Sequence, residues 1–167
     1  MPDLSVKYMG LTLKNPLIVA SSGLTANLQN IKDYADKGAS AIILKSLFEE
    51  QIIAESDTHI QRDESYGYDV QDYISRYTRD NALGNYLNLI KEAKANVDIP
   101  IIASINCVSN EEWVSFTKKI EEAGADGIEI NISLLPSDPE ASPEKTEETY
   151  FSILEKVRKT TSLPVLL

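Results

Sequence analysis

Short apolar runs that begin at a proline recur along the chain and predict buried parallel strands. They lie at residues 15–20, 99–104 and 163–167. Proline is tolerated at a first strand position, and near-continuous leucine and β-branched runs suit strands that are covered on both faces. Two further strands are predicted at residues 37–45 and 123–131, where a glycine ends a helix before an apolar run starts. The pattern therefore predicts four or five parallel strands.

The segments between these strands carry helix signals. Ser109 and Glu112 have the spacing of a capping box, and Ser142 followed by Pro143 and Glu144 gives an N-cap, a first-turn proline and an acid at the positive end of the helix dipole. Apolar positions at helical spacing predict four helices, marked by Leu28, Ile31 and Ala35; by Tyr86, Leu87, Ile90 and Ala93; by Trp113, Phe116 and Ile120; and by Tyr150, Leu154 and Val157. Strands and helices thus alternate.

The alternation itself repeats. A proline strand, a helix, a glycine-alanine strand, a long loop and a helix follow one another from residue 16 and again from residue 100, and a third copy starts at residue 164. We interpret each copy as a quarter of a (β/α)8 TIM barrel, the α/β class. Residues 1–167 would then be the N-terminal half of one barrel domain, divided at 16–98, 99–163 and 164–167. A Rossmann or flavodoxin-like sheet is the alternative, but no G-x-G-x-x-G turn follows a strand.

Residues 4–13 alternate between apolar and polar side chains around Met9 and Gly10. This pattern predicts a hairpin that would cover the N-terminal face of the barrel, with a frayed terminus as the alternative.

Charge and composition exclude several classes of partner. The net charge of −10 disfavours nucleic acid and anionic membrane surfaces, which require a basic patch. Cys107 is the single cysteine, so no intramolecular disulfide can form. His59 has no second ligand at metal-binding spacing, and we predict no metal site. Apolar runs are too short to span a bilayer and no signal peptide is recognisable, so we expect a cytoplasmic protein.

Function in a barrel gathers at the carboxyl ends of the strands, and polar residues follow each predicted strand there. They are Ser21, Ser22 and Gly23; Lys45 and Ser46; Ser104 and Asn106; and Glu129, Asn131 and Ser133. Lys45 would hold its stem in a low dielectric and aim its ammonium into a pocket, or it would extend to solvent. Glu129 and Asn131 share a strand face and would line a polar ligand site, unless Glu129 forms a structural pair with Lys45.

Five segments in register resemble the dihydroorotate dehydrogenase superfamily: residues 10–16, 20–23, 44–46, 101–105 and 129–133. The resemblance implies an FMN-dependent oxidoreductase in which residues 20–23 approach the isoalloxazine. It also implies that Lys45 is catalytic and serves both flavin and substrate, and that Ser46 and Asn131 contact the flavin. The complete set of expected cofactor-binding residues is Ser21, Ser22, Gly23, Lys45, Ser46, Ser104, Asn106 and Asn131.

The sequence departs from that family at the substrate side. The position of the family's proton-abstracting residue falls on Leu134, which cannot accept a proton, and the family's substrate loop Asn-x-x-Gly-Leu-x-Asn does not occur between residues 60 and 85. Residues 65–77 contain four tyrosines and are predicted to be a long acidic loop over the substrate or at a subunit contact, or a plain mobile insertion. A small-molecule substrate is expected, whereas dihydroorotate itself is in question.

The resemblance also places a second flavin-binding lysine and the phosphate-binding loops after residue 167. We therefore expect this chain to be part of a longer enzyme and to bind FMN weakly alone, and a homo-oligomer is among the expected assemblies. Two other hypotheses remain: a non-catalytic half-barrel that assembles through its open edges, and a flavin-free, lysine-dependent barrel of the aldolase type.

Overall fold

The computed structural model describes residues 2–61, 68–134 and 142–167. Strands and helices alternate through these ranges as the sequence predicts. The strands are β1 (Val6–Tyr8), β2 (Leu11–Leu13), β3 (Ile18–Val19), β4 (Ala41–Ile43), β5 (Leu47–Phe48), β6 (Ile101–Asn106), β7 (Gly127–Ile130) and β8 (Val165–Leu166). The helices are α1 (Leu28–Asp36), α2 (Glu49–Gln61), α3 (Tyr68–Asn96), α4 (Asn110–Glu122) and α5 (Pro143–Thr160), with a short 3-10 turn at Gly23–Thr25.

The main sheet of the described residues has the order β3-β4-β6-β7-β8, and β5 pairs with β6 beyond the end of β4. Every pairing in this sheet is parallel. Neighbouring strands of this sheet follow one another along the chain with helices between them, which is the arrangement of half a TIM barrel. The predicted fold class is therefore confirmed. The two-residue strand β5 is an addition that the apolar pattern did not predict.

Helices cover one face of this sheet. Side chains alternate between faces along each strand, so Ile42 of β4 joins the core beneath the helices, whereas Ile43 points to the opposite face. Trp113 and Phe116 of α4 are almost completely buried in the helix-side core. Each such side chain contributes roughly 1.5–3 kcal/mol of hydrophobic stabilisation. The face opposite the helices is therefore the one that would line the interior of a closed barrel.

The predicted N-terminal hairpin is present. β1 and β2 pair antiparallel through a two-residue turn in which Met9 and Gly10 have φ angles of 54° and 79°. Two successive left-handed residues are typical of a type I′ turn, which matches the twist of the strands. Leu13 is buried against Ala41 and Ile43 on the face opposite the helices. The hairpin thus covers that face, and the terminus is not frayed over these residues.

The prediction of a loop at residues 65–77 is wrong for residues 68–77, which are helical. Helix α3 begins at Tyr68, and α2 precedes it, so the connection after β5 is a pair of helices. Residues 62–67 lie outside the described ranges. The Ser56 hydroxyl on α2 donates to Ser75 on α3 at 2.9 Å, and tertiary support of this kind is not visible in local sequence. Within the described ranges, every helix is too short or too polar to cross a membrane.

The capping box at α4 forms only in part. Ser109 Oγ accepts from the amide of Glu112 at 3.4 Å, as predicted. The Glu112 carboxylate instead binds Arg79 of α3 at 2.6 Å, while the Ser109 amide donates to Glu49 Oε2 at 3.0 Å. Long-range charge pairing has replaced the local reciprocal bond. Ser142 caps α5 as predicted, with Pro143 in the first turn.

Candidate functional site

A cavity of about 700 Å³ opens at the carboxyl ends of β3, β4 and β7. Six of the eight expected cofactor-binding residues line it. The lining consists of Ala20, Ser21, Ser22, Gly23, Lys45, Ser46, Phe48, Glu129, Ile130, Asn131, Ile132, Tyr150 and Leu167. Ser104 and Asn106 are the two expected residues that lie outside this lining.

A bulge between β4 and β5 shapes the cavity wall. Ile43 pairs with Ile102, and Leu47 pairs with Ile105. The chain advances four residues from Ile43 to Leu47 but only three from Ile102 to Ile105. One extra residue therefore lies in the segment that contains Lys45 and Ser46. A bulge bends its strand and re-aims side chains, and bulges are frequent beside functional sites. This one carries Lys45 and Ser46 to the cavity.

Tyr86 of α3 closes the gap that the bulge leaves in the sheet. Its hydroxyl accepts a hydrogen bond from the Ser104 amide at 2.8 Å and donates to the Ser104 carbonyl at 3.0 Å. Burial raises the pKa of Tyr86, the bond to Ser104 opposes this, and the charge of Glu129 raises the pKa further. The phenol therefore stays protonated. Both backbone groups of a buried strand residue are satisfied by one side chain.

Serine side chains from three strand ends connect the cavity wall to Glu129. Ser21 Oγ lies 3.1 Å from Ser46 Oγ and also accepts from the Ser46 amide. Ser46 Oγ lies 2.7 Å from Ser104 Oγ, and the Ser104 hydroxyl donates to Glu129 Oε1 at 2.6 Å. Because Ser104 and Glu129 are register partners in the parallel sheet, their side chains are neighbours on one face.

The bond to Glu129 fixes the direction of this chain. A serine hydroxyl has one proton and can donate only once. Since Ser104 donates to Glu129, Ser46 must donate to Ser104. Ser104 is fully buried, so it supports the cavity from behind rather than lining it. Direct contact between Ser104 and a cofactor stays a prediction.

Asn106 has a similar supporting position. Its side-chain amide donates to the Asn131 carbonyl at 2.7 Å, and the Asn131 amide donates to the Ile105 carbonyl at 2.8 Å. Asn131 itself is exposed in the cavity wall. The pair of bonds fixes the backbone that presents the Asn131 side chain.

Ser22 and Gly23 form the rim beyond β3. The Ser22 hydroxyl accepts from the Leu24 amide and caps the 3-10 turn, so its side chain has a local structural role. A Cβ added at Gly23 would meet no atom within 4 Å. Glycine therefore leaves open space at this part of the wall, which suits the close approach of a flat ligand.

Lys45 is exposed, and the prediction of a stem in a low dielectric is wrong because the bulge carries the residue out of the sheet. It lines the main cavity and also a smaller one of about 300 Å³ beside α2 and α3. Among the described residues, it forms no ion pair, so the structural pair with Glu129 is absent. Its ammonium remains available to a bound anion.

A second cavity, of about 550 Å³, lies beneath α5 and contains Ser133 and Leu134. The residue at the family's proton-abstracting position thus lines this second cavity, which adjoins the main cavity at Phe48 and Ile132. Cys107 also borders this cavity, and its pKa is raised by burial and by the charges of Glu49 and Glu112. Cys107 is therefore a thiol and a poor nucleophile. No group of three or more potential metal ligands occurs in the described ranges.

A sequence model of the family described as dihydroorotate dehydrogenase matches residues 3–167. The chain belongs to this family. The dihydroorotate dehydrogenase B (NAD(+)) catalytic subunit of Thermoplasma volcanium is 34% identical over 136 residues, which cover 80% of the chain and 42% of that protein. The family resemblance inferred from the five segments is confirmed.

The chain is also similar to a second enzyme subunit in sequence and to a solved barrel in fold. The NAD-dependent dihydropyrimidine dehydrogenase subunit PreA of Escherichia coli (strain K12) is 24% identical over 175 residues, covering 98% of the chain and 41% of that protein. The structure of 4-hydroxy-tetrahydrodipicolinate synthase from Methylacidiphilum fumariolicum SolV aligns with a TM-score of 0.52 at 16% identity. The alignment covers 90% of the present chain and 42% of the synthase chain. The latter likeness shows the fold alone. The chain spans about two-fifths of the length of these relatives.

Sequence reasoning missed Tyr86 as part of the site and treated it as one apolar position of a helix. It also named Glu129 as a lining residue without its serine partners. No signal in the sequence indicates either contact, because Tyr86 and Ser104 are 18 residues apart and Ser46 and Ser104 are 58 apart.

Proposed function

We propose that the protein is an FMN-dependent oxidoreductase that dehydrogenates a small dihydropyrimidine-type ring. One observation carries the proposal: in a chain of the dihydroorotate dehydrogenase family, six of the residues expected at the flavin line one cavity at the carboxyl ends of the strands. Ligands of parallel α/β barrels bind at that end.

The cavity fits a flavin ring. Its volume of about 700 Å³ lies within the ordinary range of ligand sites, and its lining mixes the apolar Phe48 and Ile132 with hydroxyl and amide groups. The backbone at residues 20–23, together with Ser46 and Asn131, would hold the ring. Bound FMN supplies a two-electron hydride acceptor, a chemistry that no protein side chain provides.

The residues of this chain would bind and orient the flavin and the substrate. Asn106 fixes the backbone that carries Asn131, and the Ser46 hydroxyl is held by Ser21 and Ser104, so the Ser46 hydroxyl is preorganised. The exposed Lys45 ammonium would stabilise negative charge that develops on a ligand in the cavity. This is the role we assign to Lys45 as the catalytic lysine.

The substrate side distinguishes this chain from the family pattern. Helix α3 occupies residues 68–85 of the stretch from which the family's substrate loop is missing, and Leu134 borders the second cavity. Two relatives are named for dihydroorotate and for dihydropyrimidines. We therefore propose the dihydropyrimidine class, with dihydroorotate as the first compound to test. A cytoplasmic location, a homo-oligomeric assembly and no nucleic-acid or membrane partner complete the proposal.

The test is the flavin content of the full-length protein, purified without added cofactor. We expect a yellow protein that releases about one FMN per chain on heat denaturation, identified by mass spectrometry. Anaerobic addition of dihydroorotate or dihydrouracil should bleach the flavin bands. A colourless protein that neither contains nor takes up FMN would contradict the proposal.

A Schiff-base lysine is the competing chemistry, and borohydride trapping of a carbonyl compound on Lys45 would reveal it. Such lysines are activated by apolar burial or by a neighbouring cation. Lys45 is exposed, which argues against this alternative.

A further inference from the structure

We propose that Glu129 is the proton acceptor of the cavity, in place of the residue at position 134, and that Ser104, Ser46 and Ser21 are its positioning residues. The inference rests on the proposed oxidoreductase function. It concerns the half of the reaction that a flavin does not perform, the removal of a proton from the carbon next to the one that loses hydride.

The composition of the cavity wall leads to Glu129. Among the described residues that line it, the ionisable side chains are Lys45, Glu129 and Tyr150. An ammonium has no lone pair to accept a proton, and the Tyr150 hydroxyl donates to the Ile132 carbonyl at 3.5 Å. Leu134 has no accepting atom and borders the other cavity. Glu129 is the carboxylate that remains.

The serine chain holds this carboxylate in one orientation. Ser104 donates to Oε1 at 2.6 Å, and Ser46, whose Oγ lies 2.7 Å from Ser104 Oγ, then donates to Ser104. Within the described ranges, Oε2 makes no hydrogen bond to the protein. One carboxylate oxygen is therefore fixed and the other is free, as a general base requires. Ser104 is fully buried, so water does not compete for the fixing bond.

The proposed step balances in protons and electrons. One ring C–H bond gives its hydrogen and two electrons as hydride to the flavin, which is the oxidant. The C–H bond on the adjacent carbon gives its proton to Glu129 Oε2, and its electron pair forms the new carbon–carbon double bond. Glu129 becomes neutral, and the flavin gains two electrons.

The experiment compares Glu129→Gln with wild type in the full-length flavoprotein, using anaerobic dihydroorotate and dihydrouracil as probes. We expect flavin reduction to slow by about 100-fold or more, since a positioned general base contributes on the order of 10²–10⁴. Flavin content and reduction by dithionite should be unchanged, which separates chemistry from folding and binding. The matched control is Glu148→Gln, an exposed acid beside the second cavity, which should behave as wild type.

A second measurement does not depend on the rate. The infrared difference spectrum between the oxidised and the substrate-reduced protein should gain the carbonyl band of one protonated carboxyl group. This band should be missing in Glu129→Gln and present in Glu148→Gln. Ser104→Ala should slow reduction about tenfold or more through loss of a bond to a charged group and should alter the pH profile, whereas Ser104→Thr, which keeps a hydroxyl, should restore both.

The outcomes separate the two proposals. If the wild-type protein is reduced, and Glu129→Gln is reduced at the same rate with the same infrared band, Glu129 is not the proton acceptor. The oxidoreductase function would still stand. A flavoprotein that neither probe reduces would overturn the substrate class and this inference together. If Glu129→Gln loses its flavin, normal kinetics of Ser104→Ala with no change in the pH profile would overturn the inference.

Discussion

The exposure of Lys45 determines how strongly its charge can act on a ligand. A buried donor aimed at developing charge contributes about 10²–10³ to rate, but solvent screens an exposed ammonium. The bulge moves Lys45 out of the sheet and into contact with two cavities, and among the described residues it forms no ion pair. Its contribution to catalysis should therefore lie below that of a buried donor.

We predict that Lys45→Ala in the full-length protein slows flavin reduction by about tenfold or weakens FMN binding by a similar factor. Rapid-reaction absorbance and flavin titration would measure the two effects. Lys91→Ala, which removes an exposed lysine from α3 far along the chain from the bulge, is the matched control. Equal flavin content and equal reduction rate in Lys45→Ala and wild type would defeat the assignment.

At the scale of elements, the bulge between β4 and β5 depends on a side chain from a helix. Where the strands lose register, Ser104 would have two unpaired backbone groups inside the protein, and Tyr86 of α3 binds both. The apolar spacing of Tyr86, Leu87, Ile90 and Ala93 predicted this helix correctly. It could not show that one of these residues also carries a hydroxyl to the sheet.

We expect Tyr86→Phe to lower the free energy of unfolding by about 2 kcal/mol, because each buried backbone group left without a partner costs roughly 1–3 kcal/mol, partly offset by relaxation. Urea denaturation would measure the change. Tyr34→Phe is the control, since Tyr34 is half-buried on α1 and its hydroxyl has no hydrogen bond to another described residue. Equal losses in the two variants would show that Tyr86 does not support the bulge.

At the scale of the whole molecule, the sheet is open. β3 and β8 are its edge strands within the described ranges, whereas a closed barrel has eight strands. Barrels of this type often hold phosphate groups with loops after their seventh and eighth strands. Lys45 is the one basic side chain among the described residues that line the main cavity.

A polypeptide limited to residues 1–167 should therefore bind FMN only weakly, with a Kd above about 1 μM. Each lost hydrogen bond to a charged phosphate removes about 1.5–3 kcal/mol of favourable interaction. Quenching of flavin fluorescence would measure the affinity, and the full-length protein is the comparison. Tighter binding by the 167-residue chain would mean that the phosphate site lies within it.

The sequence by itself determined the parts of this protein that depend on neighbouring residues. The strand runs, the Ser142 cap, the turn at Met9 and Gly10 and the order of β/α units all arise from patterns a few residues long, and the structure contains each of them. The five family segments likewise lie in local sequence, and they placed six residues at one cavity.

Only the tertiary structure decided how those residues work together. The bulge arises from the pairing of two strands, the Tyr86 contact joins a helix to the sheet, and the serine chain joins residues that are 25 and 58 positions apart. The helix at residues predicted to be a loop was likewise decided by packing against α2. Hydrogen bonds between distant segments form only after the chain has folded, so no local pattern in the sequence records them.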